Sequence, residues 1–518
     1  MIGAERRDGD VWWRGWLRRP RPRRRLALAG GPAVAAPPAL DVVRRWGFIA
    51  VLAWAPLPLG SDRPWSWSLL GLLVALLLAL SAALSARAGA ERLSLRPLRV
   101  PLLLGAVLAL WILCQNLDLL GAHHPLWDKA SEVLGRKLAA SISVDREASR
   151  IRLFRLLTDA GGFFLAWQIA RQAEGAALLV KSIAVIGAAY ALYGMVEFAS
   201  ADPSILWMPK WAYVHDVTST FVNRNSFATF AGLTTLAGLT LVARALFRHV
   251  DPRSVRTLLA SILDTLLWRG SWPVIAVVLT GPAVLLSHSR AGALATLCGV
   301  LTLGVAVAAA PSLKHPARRL FIGFLGAGCL LGLVVAGAAT LDRVVDTTQG
   351  EEDARAFILQ DTLPAVADNW LAGTGLGTFR FIYPMYQTTE IEGIVDLAHD
   401  DYLENILELG VPGALLLFAL VAWLAGQCGL GVIRRRRDAL YPCLGLAASV
   451  LVAVHSMFDF SLQMPAIAVL YAALLGIGVA QSLRSHPAPD ARVAVAAERE
   501  EIINQDRPFS SRDAAGRR

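Results

Sequence analysis

Arginine and histidine residues beside long apolar runs are the side chains of this sequence that could do chemistry. Arg224 lies between Asn223 and Asn225. Arg290 begins an apolar run, and His399 precedes an amphipathic one. A guanidinium group stays charged and binds phosphate oxygens in pairs, whereas an imidazole accepts and releases protons near neutral pH. Together these residue types fit a reaction on a phosphate-linked substrate at a membrane surface.

Further charged residues fall on the same side of the predicted membrane region and could support such a site. They are Arg152, Arg155, Arg355, Arg380, Asp400 and Asp459. Arg155 and Asp159 stand four residues apart and could pair on one helix face, or the arginine could attract an anion. Any of these arginines could also form a structural salt bridge or extend to the interface. Several arginines at one leaflet nevertheless favour an anion, and the anion at that height is a lipid phosphate or diphosphate.

The segment at residues 398–413 predicts a short helix at the membrane boundary. Asp401 followed by Glu404 resembles the capping box that starts a helix. Gly410 and Pro412 should end the helix after about two turns. The remaining leucine and isoleucine side chains would lie on apolar surface.

Polar residues on the other face of this predicted helix, Asp400, Glu404 and Glu408, should face water. His399 would then lie at the water-facing rim, just before the helix begins. A lone histidine is more often structural than catalytic, and it could simply anchor the loop through hydrogen bonds. A catalytic role would require it to accept or orient a proton of the substrate.

The composition is that of a protein that crosses a membrane several times. Hydrophobic residues make up 55% of the 518 residues, charged residues make up 17%, and the mean hydropathy is +0.50. The net charge of +10 comes from arginines between apolar runs, which indicates basic inner loops and not nucleic-acid binding. The five cysteines lie in apolar runs without a C-x-x-C pair, so neither disulfides nor a thiolate metal site is expected.

We therefore expect an all-α polytopic integral membrane protein with about twelve transmembrane helices. The predicted spans lie near residues 46–61, 67–86, 100–118, 152–171, 177–198, 226–246, 272–288, 291–310, 320–340, 411–430, 440–457 and 464–483. With the N-terminus inside, the basic residues fall in the inner loops, which sets the orientation.

The chain divides into a membrane domain and two tails. Residues 1–45 should be a disordered, basic cytoplasmic tail, residues 46–483 the membrane domain, and residues 484–518 a second disordered cytoplasmic tail. The outer loop at about 341–410 is too long for a simple connection and should contain short helices with a function. Its glycine-rich stretch Trp370–Phe379 lacks the strand–helix–strand context of a dinucleotide site, so it predicts a tight turn.

Five segments occur in an order that is shared with a known family. They are Ser219–Ala228, Ser289–Gly292, Gly373–Phe379, His399–Gly410 and His455–Pro465. Together they resemble the O-antigen ligase and polymerase superfamily of bacterial membrane glycosyltransferases. The likeness covers roughly residues 45–485. In this order the motifs are specific for the superfamily but not for its subfamilies.

The resemblance implies a metal-independent, inverting glycosyltransferase of the bacterial inner membrane, without a cofactor and with its active site on the periplasmic side. Its donor would be a glycan on undecaprenyl diphosphate. By the same resemblance, Arg224 and Arg290 would grip the diphosphate and His399 would be catalytic. Asp400 departs from the family pattern, which most often has Asn or Ser after the histidine. A carboxylate there could raise the basicity of the imidazole or cap the helix.

The acceptor and the class of protein leave alternatives open. A ligase would pass the glycan to lipid A–core or a protein, whereas a polymerase would pass it to a second lipid-linked repeat unit. A transporter for the lipid-linked glycan would also contain arginines in the membrane, but it would show internal repeats and polar residues near the midplane. A passive scaffold would leave the one-sided polar residues unexplained.

Overall fold

The computed structural model describes residues 39–87, 94–118, 122–251, 254–343, 349–388, 394–436 and 438–483. These residues form α-helices joined by turns, with one pair of two-residue strands, so the predicted all-α architecture is confirmed. The predicted cytoplasmic tails lie outside the described residues, except that the first helix already begins at Ala39.

The structure contains sixteen α-helices in the described residues. They are α1 (Ala39–Trp54), α2 (Pro64–Arg87), α3 (Arg99–Gln115), α4 (Leu126–Val133), α5 (Arg146–Ala170), α6 (Ala173–Phe198), α7 (Arg224–His249), α8 (Val255–Asp264), α9 (Ser271–Leu286), α10 (Arg290–Ala309), α11 (Ala317–Arg343), α12 (Gln349–Asn369), α13 (Phe379–Ile382), α14 (Asp401–Arg434), α15 (Leu440–His455) and α16 (Pro465–Ser482). Strands β1 (Ser204–Ile205) and β2 (Met208–Pro209) pair antiparallel in the segment before α7.

Within the described ranges, seven helical segments are long and apolar enough to cross a membrane. They are α2, α3 with the turn before it, α6, α7, α10, α14 and α16. Parts of α8 and α9 form an eighth candidate as a pair bent by 69°. A helix overlaps each of the predicted spans, but α1, α9 and α15 contain 16 residues each, and a bilayer requires roughly 20. The structure supports seven or eight crossings, and the number twelve stays a prediction.

Helices α7 and α16 form the centre of the bundle. In the apolar window of each helix, 83% of α7 and 89% of α16 are buried. Small residues allow close approach here: a Cβ added to Gly445 of α15 would lie 3.0 Å from the Cα of Gly478 in α16. Because α7 begins at Arg224 and α16 follows the turn that contains Asp459, both central helices begin beside predicted site residues.

The glycine-rich stretch Trp370–Phe379 forms the predicted tight turn and packs against a break in α14. Gly410 has φ 69° and ψ 164°, which interrupts α14 and confirms the predicted stop of the short helix. The backbone N–H of Gly375 donates to the carbonyl oxygen of Glu408 at 2.9 Å. A Cβ on Gly373 would lie 2.3 Å from that same oxygen, so a larger residue could not fit. The turn therefore fixes the first part of α14, which follows His399.

Candidate functional site

His399 contacts a buried carboxylate just before α14. Its Nδ1 lies 3.2 Å from Oδ1 of Asp459, and its ring stands edge-on to Phe460 with 5.0 Å between the ring centroids. The side chain of His399 is 29% exposed, whereas that of Asp459 is 1% exposed. No described residue forms a hydrogen bond with the second ring nitrogen, Nε2. Among the described residues, only Nδ1 of the His399 ring is therefore engaged by a hydrogen bond.

Asp459 lies in the turn between α15 and α16 and accepts several hydrogen bonds. Nδ2 of Asn225 donates to its Oδ2, and the backbone N–H of Phe460 donates to its Oδ1 at 2.8 Å. Burial by itself would raise the pKa of Asp459, but the hydrogen bond and charge of His399, with the charge of His455, lower it below its usual value. Asp459 is therefore an ionised carboxylate near neutral pH, and it favours the His399 tautomer with the proton on Nδ1.

The start of α7 presents Arg224 and Asn225 at adjacent positions. The side chain of Asn223 caps the helix by accepting from the backbone N–H of Asn225 at 2.7 Å. Nη1 of Arg224 lies 3.0 Å from Oδ2 of Asp216. At the start of the capped helix, Arg224 pairs with Asp216 and Asn225 donates to Asp459. Two buried aspartates therefore lie at the N-terminus of α7.

The turn between α9 and α10 contacts the same aspartate as Arg224. Nδ1 of His288 lies 2.6 Å from Oδ1 of Asp216, whose side chain is 7% exposed. Ser289 caps α10 by accepting from a backbone N–H of the first turn at 3.0 Å, so the helix begins with Arg290. Arg290 is exposed. The structure therefore brings Arg224 and the segment of Arg290 to one carboxylate.

Asp400 is the N-cap of α14, one residue earlier than predicted. Its side chain accepts from the backbone N–H groups of Tyr402 at 2.8 Å and Leu403 at 2.9 Å. The prediction that Asp401 supplies the cap was wrong, because the carboxylate of Asp400 already fills this role. Partial burial raises the pKa of Asp400, although the two N–H groups act in the opposite direction. Of the two predicted roles for this carboxylate, capping is the one that the contacts support.

Glu404 and Glu408 are buried, so the prediction that they face water was wrong. Their exposed fractions are 2% and 3%. Glu408 accepts from the backbone N–H groups of Gly377 at 2.7 Å and Phe379 at 2.9 Å, and Glu404 accepts from that of Ala398 at 2.8 Å. The glycine-rich turn and the segment before α14 cover this helix face and supply the hydrogen bonds that buried carboxyl groups require. Helical periodicity alone does not reveal such a cover.

Arg152 joins this buried acidic group, whereas Arg155 does not. Nη2 of Arg152 lies 3.9 Å from Oε1 of Glu404 and also donates to Oε1 of Gln463. Nε2 of Gln463 in turn donates to Glu404 at 2.9 Å. The guanidinium of Arg155 instead stacks over the ring of Trp67 in α2 at 5.2 Å. Arg152 thus supports the first turns of α14, and Arg155 supports helix packing.

Arg355 and Arg380, two further predicted residues, lie on the segment between α11 and α14. Arg380 is exposed and its guanidinium lies 4.5 Å from the ring centroid of Phe381. Arg355 is partly buried in α12 and near enough to His455 to interact with it electrostatically. In the part of the chain that the structure describes, neither arginine forms an ion pair with the two aspartates of the site.

Sequence reasoning assigned no role to Asp216 or His288, two residues that the structure brings to the start of α7. Asp216 lies in a polar segment before α7, and His288 stands two residues before Arg290. Their nearness in sequence to the predicted arginines is the one signal that could have found them. Their meeting, 72 residues apart in sequence, is a tertiary contact that local patterns do not contain.

The carboxylates of the site are engaged by protein donors. Asp216 pairs with Arg224 and His288, and Asp459 accepts from Asn225. Over the described ranges, no group of three or more His, Cys, Asp or Glu side chains could hold a metal ion.

Comparison with known proteins agrees with the resemblance in the sequence. Residues 275–418 match the protein family described as O-antigen ligase (Wzy_C). This range contains His288, Arg290 and His399, whereas Arg224 and Asp459 lie outside it. No curated protein matches the chain. The protein is therefore a multi-pass membrane protein that carries a domain of the O-antigen ligase family.

Proposed function

We propose that the protein is an inverting glycosyltransferase that moves a glycan from undecaprenyl diphosphate to an acceptor hydroxyl. The proposal is supported by the family domain and, above all, by the carboxylate of Asp459. This carboxylate contacts both His399 and Asn225, the residue that follows Arg224. His399, the proposed proton acceptor, and Arg224, the proposed anion-binding residue, are thereby connected through Asp459 and the first residues of α7.

In the proposed reaction, the oxygen of the acceptor hydroxyl attacks the anomeric carbon of the glycan. Nε2 of His399 accepts the hydroxyl proton while the new C–O bond forms. The bond between the anomeric carbon and the phosphate oxygen breaks, and its electron pair stays on the diphosphate. Attack on the face opposite the leaving group inverts the configuration at the anomeric carbon.

Arg224 and Arg290 would hold the departing diphosphate. Negative charge concentrates on this group in the transition state, so fixed guanidinium groups stabilise the transition state more than the ground state. Asp216 orients Arg224 through the 3.0 Å contact, and Arg290 lies at a helix N-terminus, where the helix dipole favours anions. We propose that these charges replace the metal ion that many transferases use.

The proposed location is the bacterial inner membrane, with about twelve crossings and the site on the periplasmic side. The basic residues of the predicted inner loops support this orientation. In a variant without native cysteines, a cysteine at the exposed Ile394 should react with a membrane-impermeant thiol reagent in intact spheroplasts. A cysteine at the exposed Arg436 should stay unlabelled. The reverse pattern would place the site on the wrong side for this reaction.

The acceptor decides between ligase and polymerase, which use the same donor. A ligase would act on lipid A–core or a protein, and a polymerase would use a second lipid-linked repeat unit; the match to the O-antigen ligase family fits either. Deletion of the gene separates them on a gel of envelope glycans. Loss of long chains on lipid A with free polymer retained indicates a ligase, whereas single repeats left on the carrier indicate a polymerase.

The proposed activity is tested with the purified full-length protein in lipid nanodiscs. Undecaprenyl-diphosphate glycan is supplied with either acceptor, and the glycosylated product is measured with and without EDTA. We expect transfer to one acceptor at a rate that EDTA does not change. Donor binding without transfer to either acceptor would contradict the transferase, and inhibition by EDTA that Mg²⁺ reverses would contradict the metal-free mechanism.

A further inference from the structure

His288 and Asp216 form a second histidine–aspartate pair, placed beside the arginines of the site. Nδ1 of His288 contacts Oδ1 of Asp216 at 2.6 Å, and the histidine is 23% exposed while the aspartate is 7% exposed. Among the contacts of the described residues, His288 has no hydrogen bond at Nε2. The ring is therefore anchored at its buried nitrogen, and the other nitrogen is left for a bound molecule.

The backbone at His288 adopts a conformation that is uncommon for a residue with a side chain. Its φ is 52°, in the left-handed region that glycine occupies without cost. A residue that only connected two helices could be glycine here. The conformation instead holds an imidazole against Asp216, and the next two residues cap and begin α10. Backbone strain of this kind is concentrated at functional sites.

The charges around this pair suit an anion. The charged and titratable groups nearest to it in the chain or in space are Lys210, Tyr213, His215, Arg224 and Arg290, and Glu197 lies near Lys210. Nζ of Lys210 donates to the carbonyl oxygen of Asp216, and Arg224 occupies one of its carboxylate oxygens. Lys210 and Arg224 thus contact Asp216, and Arg290 begins α10 two residues after His288. A diphosphate bound beside these groups would in turn favour the protonated form of His288.

We infer that His288 donates a proton to the departing diphosphate, an inference that rests on the proposed function. The bond between the anomeric carbon and the phosphate oxygen breaks, and its electron pair passes to that oxygen. The oxygen takes the proton from Nε2 of His288, while His399 holds the proton taken from the acceptor hydroxyl. Proton exchange with water then returns both histidines to their starting states, so the net reaction is unchanged.

The variant His288→Gln tests this inference, because glutamine keeps an N–H donor but cannot release a proton near neutral pH. We expect its single-turnover rate to fall by about 10²-fold or more, with near-normal donor affinity. We also expect the decline of the wild-type rate at alkaline pH to disappear from its pH profile. The matched control is His215→Gln, an exposed histidine next to Asp216, which should keep the wild-type rate and profile.

Several results would overturn the inference. They are a His288→Gln rate close to that of the wild type, a slower rate with an unchanged pH profile, and a wild-type rate without an alkaline decline. If His288→Gln fails to fold, the pH profile of Asp216→Asn tests the inference instead. Loss of the carboxylate charge beside His288 should move the alkaline decline of the single-turnover rate to lower pH. A decline that stays in place would again overturn it.

The result for the wild type separates this inference from the function on which it rests. A wild-type protein that transfers no glycan from the lipid diphosphate refutes the proposed function. An active wild type with an unaffected His288→Gln variant refutes the proton donor alone.

Discussion

The two histidine–aspartate pairs share one construction and differ in their neighbours. In both, the histidine has a positive φ, 54° at His399 and 52° at His288, and stands directly before the N-cap of a helix. In both, Nδ1 contacts a buried aspartate. The aspartate at His399 accepts from the neutral amide of Asn225, whereas the aspartate at His288 pairs with the charged guanidinium of Arg224.

This difference indicates separate tasks for two similar pairs. An amide adds no charge, so Asp459 keeps its negative charge for His399, as a proton acceptor requires. The guanidinium of Arg224 offsets the negative charge of Asp216, so this carboxylate repels an anion beside His288 less than an unpaired one would. We therefore expect changes at the His399 pair to slow the chemical step, and changes at Arg224 to weaken the hold on the donor as well.

The largest effect is expected from His399→Gln. Glutamine can replace one imidazole hydrogen bond but cannot accept a proton, so the single-turnover rate should fall by about 10²–10⁴-fold. His215→Gln serves as the control for replacing an exposed histidine. A His399→Gln rate close to that of the wild type would return His399 to the role of a loop anchor.

Lysine substitutions at Arg224 and Arg290 should come next in size. Each should cost about 2–4 kcal/mol of transition-state stabilisation, measured as kcat/KM, and should be nearly as damaging as alanine. The reason is that lysine keeps the charge but lacks the two-pronged donor that matches phosphate. Full activity in both lysine variants, at normal protein levels, would show that the arginines are structural.

Asp459→Asn should have a smaller effect than the loss of His399 itself. The imidazole remains, but it loses a charged hydrogen-bond partner, a loss of about 1.5–3 kcal/mol or roughly 10- to 150-fold in rate. The single-turnover rate measures this loss. A rate equal to that of the wild type would show that His399 needs no carboxylate, and the comparison between the two pairs would lose its basis.

The smallest effect is expected in acid stability. Folding lowers the pKa of Asp459, so its ionised form stabilises the folded state above the ordinary aspartate pKa. That stabilisation begins to be lost as the pH falls below the ordinary aspartate pKa of about 4. It is fully lost once the pH is below the lowered pKa of Asp459 in the folded protein. The thermal unfolding temperature of the wild type should therefore fall more steeply in this acid range than that of Asp459→Asn. Identical acid profiles would contradict the ionised, paired state of this carboxylate.

Features with a local signal could be predicted from the sequence. Apolar runs predicted the positions of helices, although several of these are shorter than a membrane span. Gly410 predicted the break in α14, and the glycine-rich stretch predicted a tight turn, because both depend on backbone conformation. The roles of His399, Arg224 and Arg290 were predicted from the resemblance to a family, and they stay predictions; the structure shows that each residue stands at or next to a helix start.

Features that depend on tertiary contacts could not be predicted. Asn225 and Asp459 are 234 residues apart in sequence, and no local pattern indicates that they meet. The burial of Glu404 and Glu408 depends on a distant turn that folds over α14. A single carboxylate such as Asp216 is indistinguishable in sequence from a solvated one until its partners are placed.

Donor affinity in two variants tests the separate tasks of the two pairs most directly. Binding of undecaprenyl-diphosphate glycan to purified, full-length His399→Gln and Arg224→Ala is measured side by side with the wild type. We predict a near wild-type Kd for His399→Gln and a clearly weakened one for Arg224→Ala, because the guanidinium and not the imidazole holds the diphosphate. Equal loss of affinity in both variants, or unchanged affinity in both, would contradict this division.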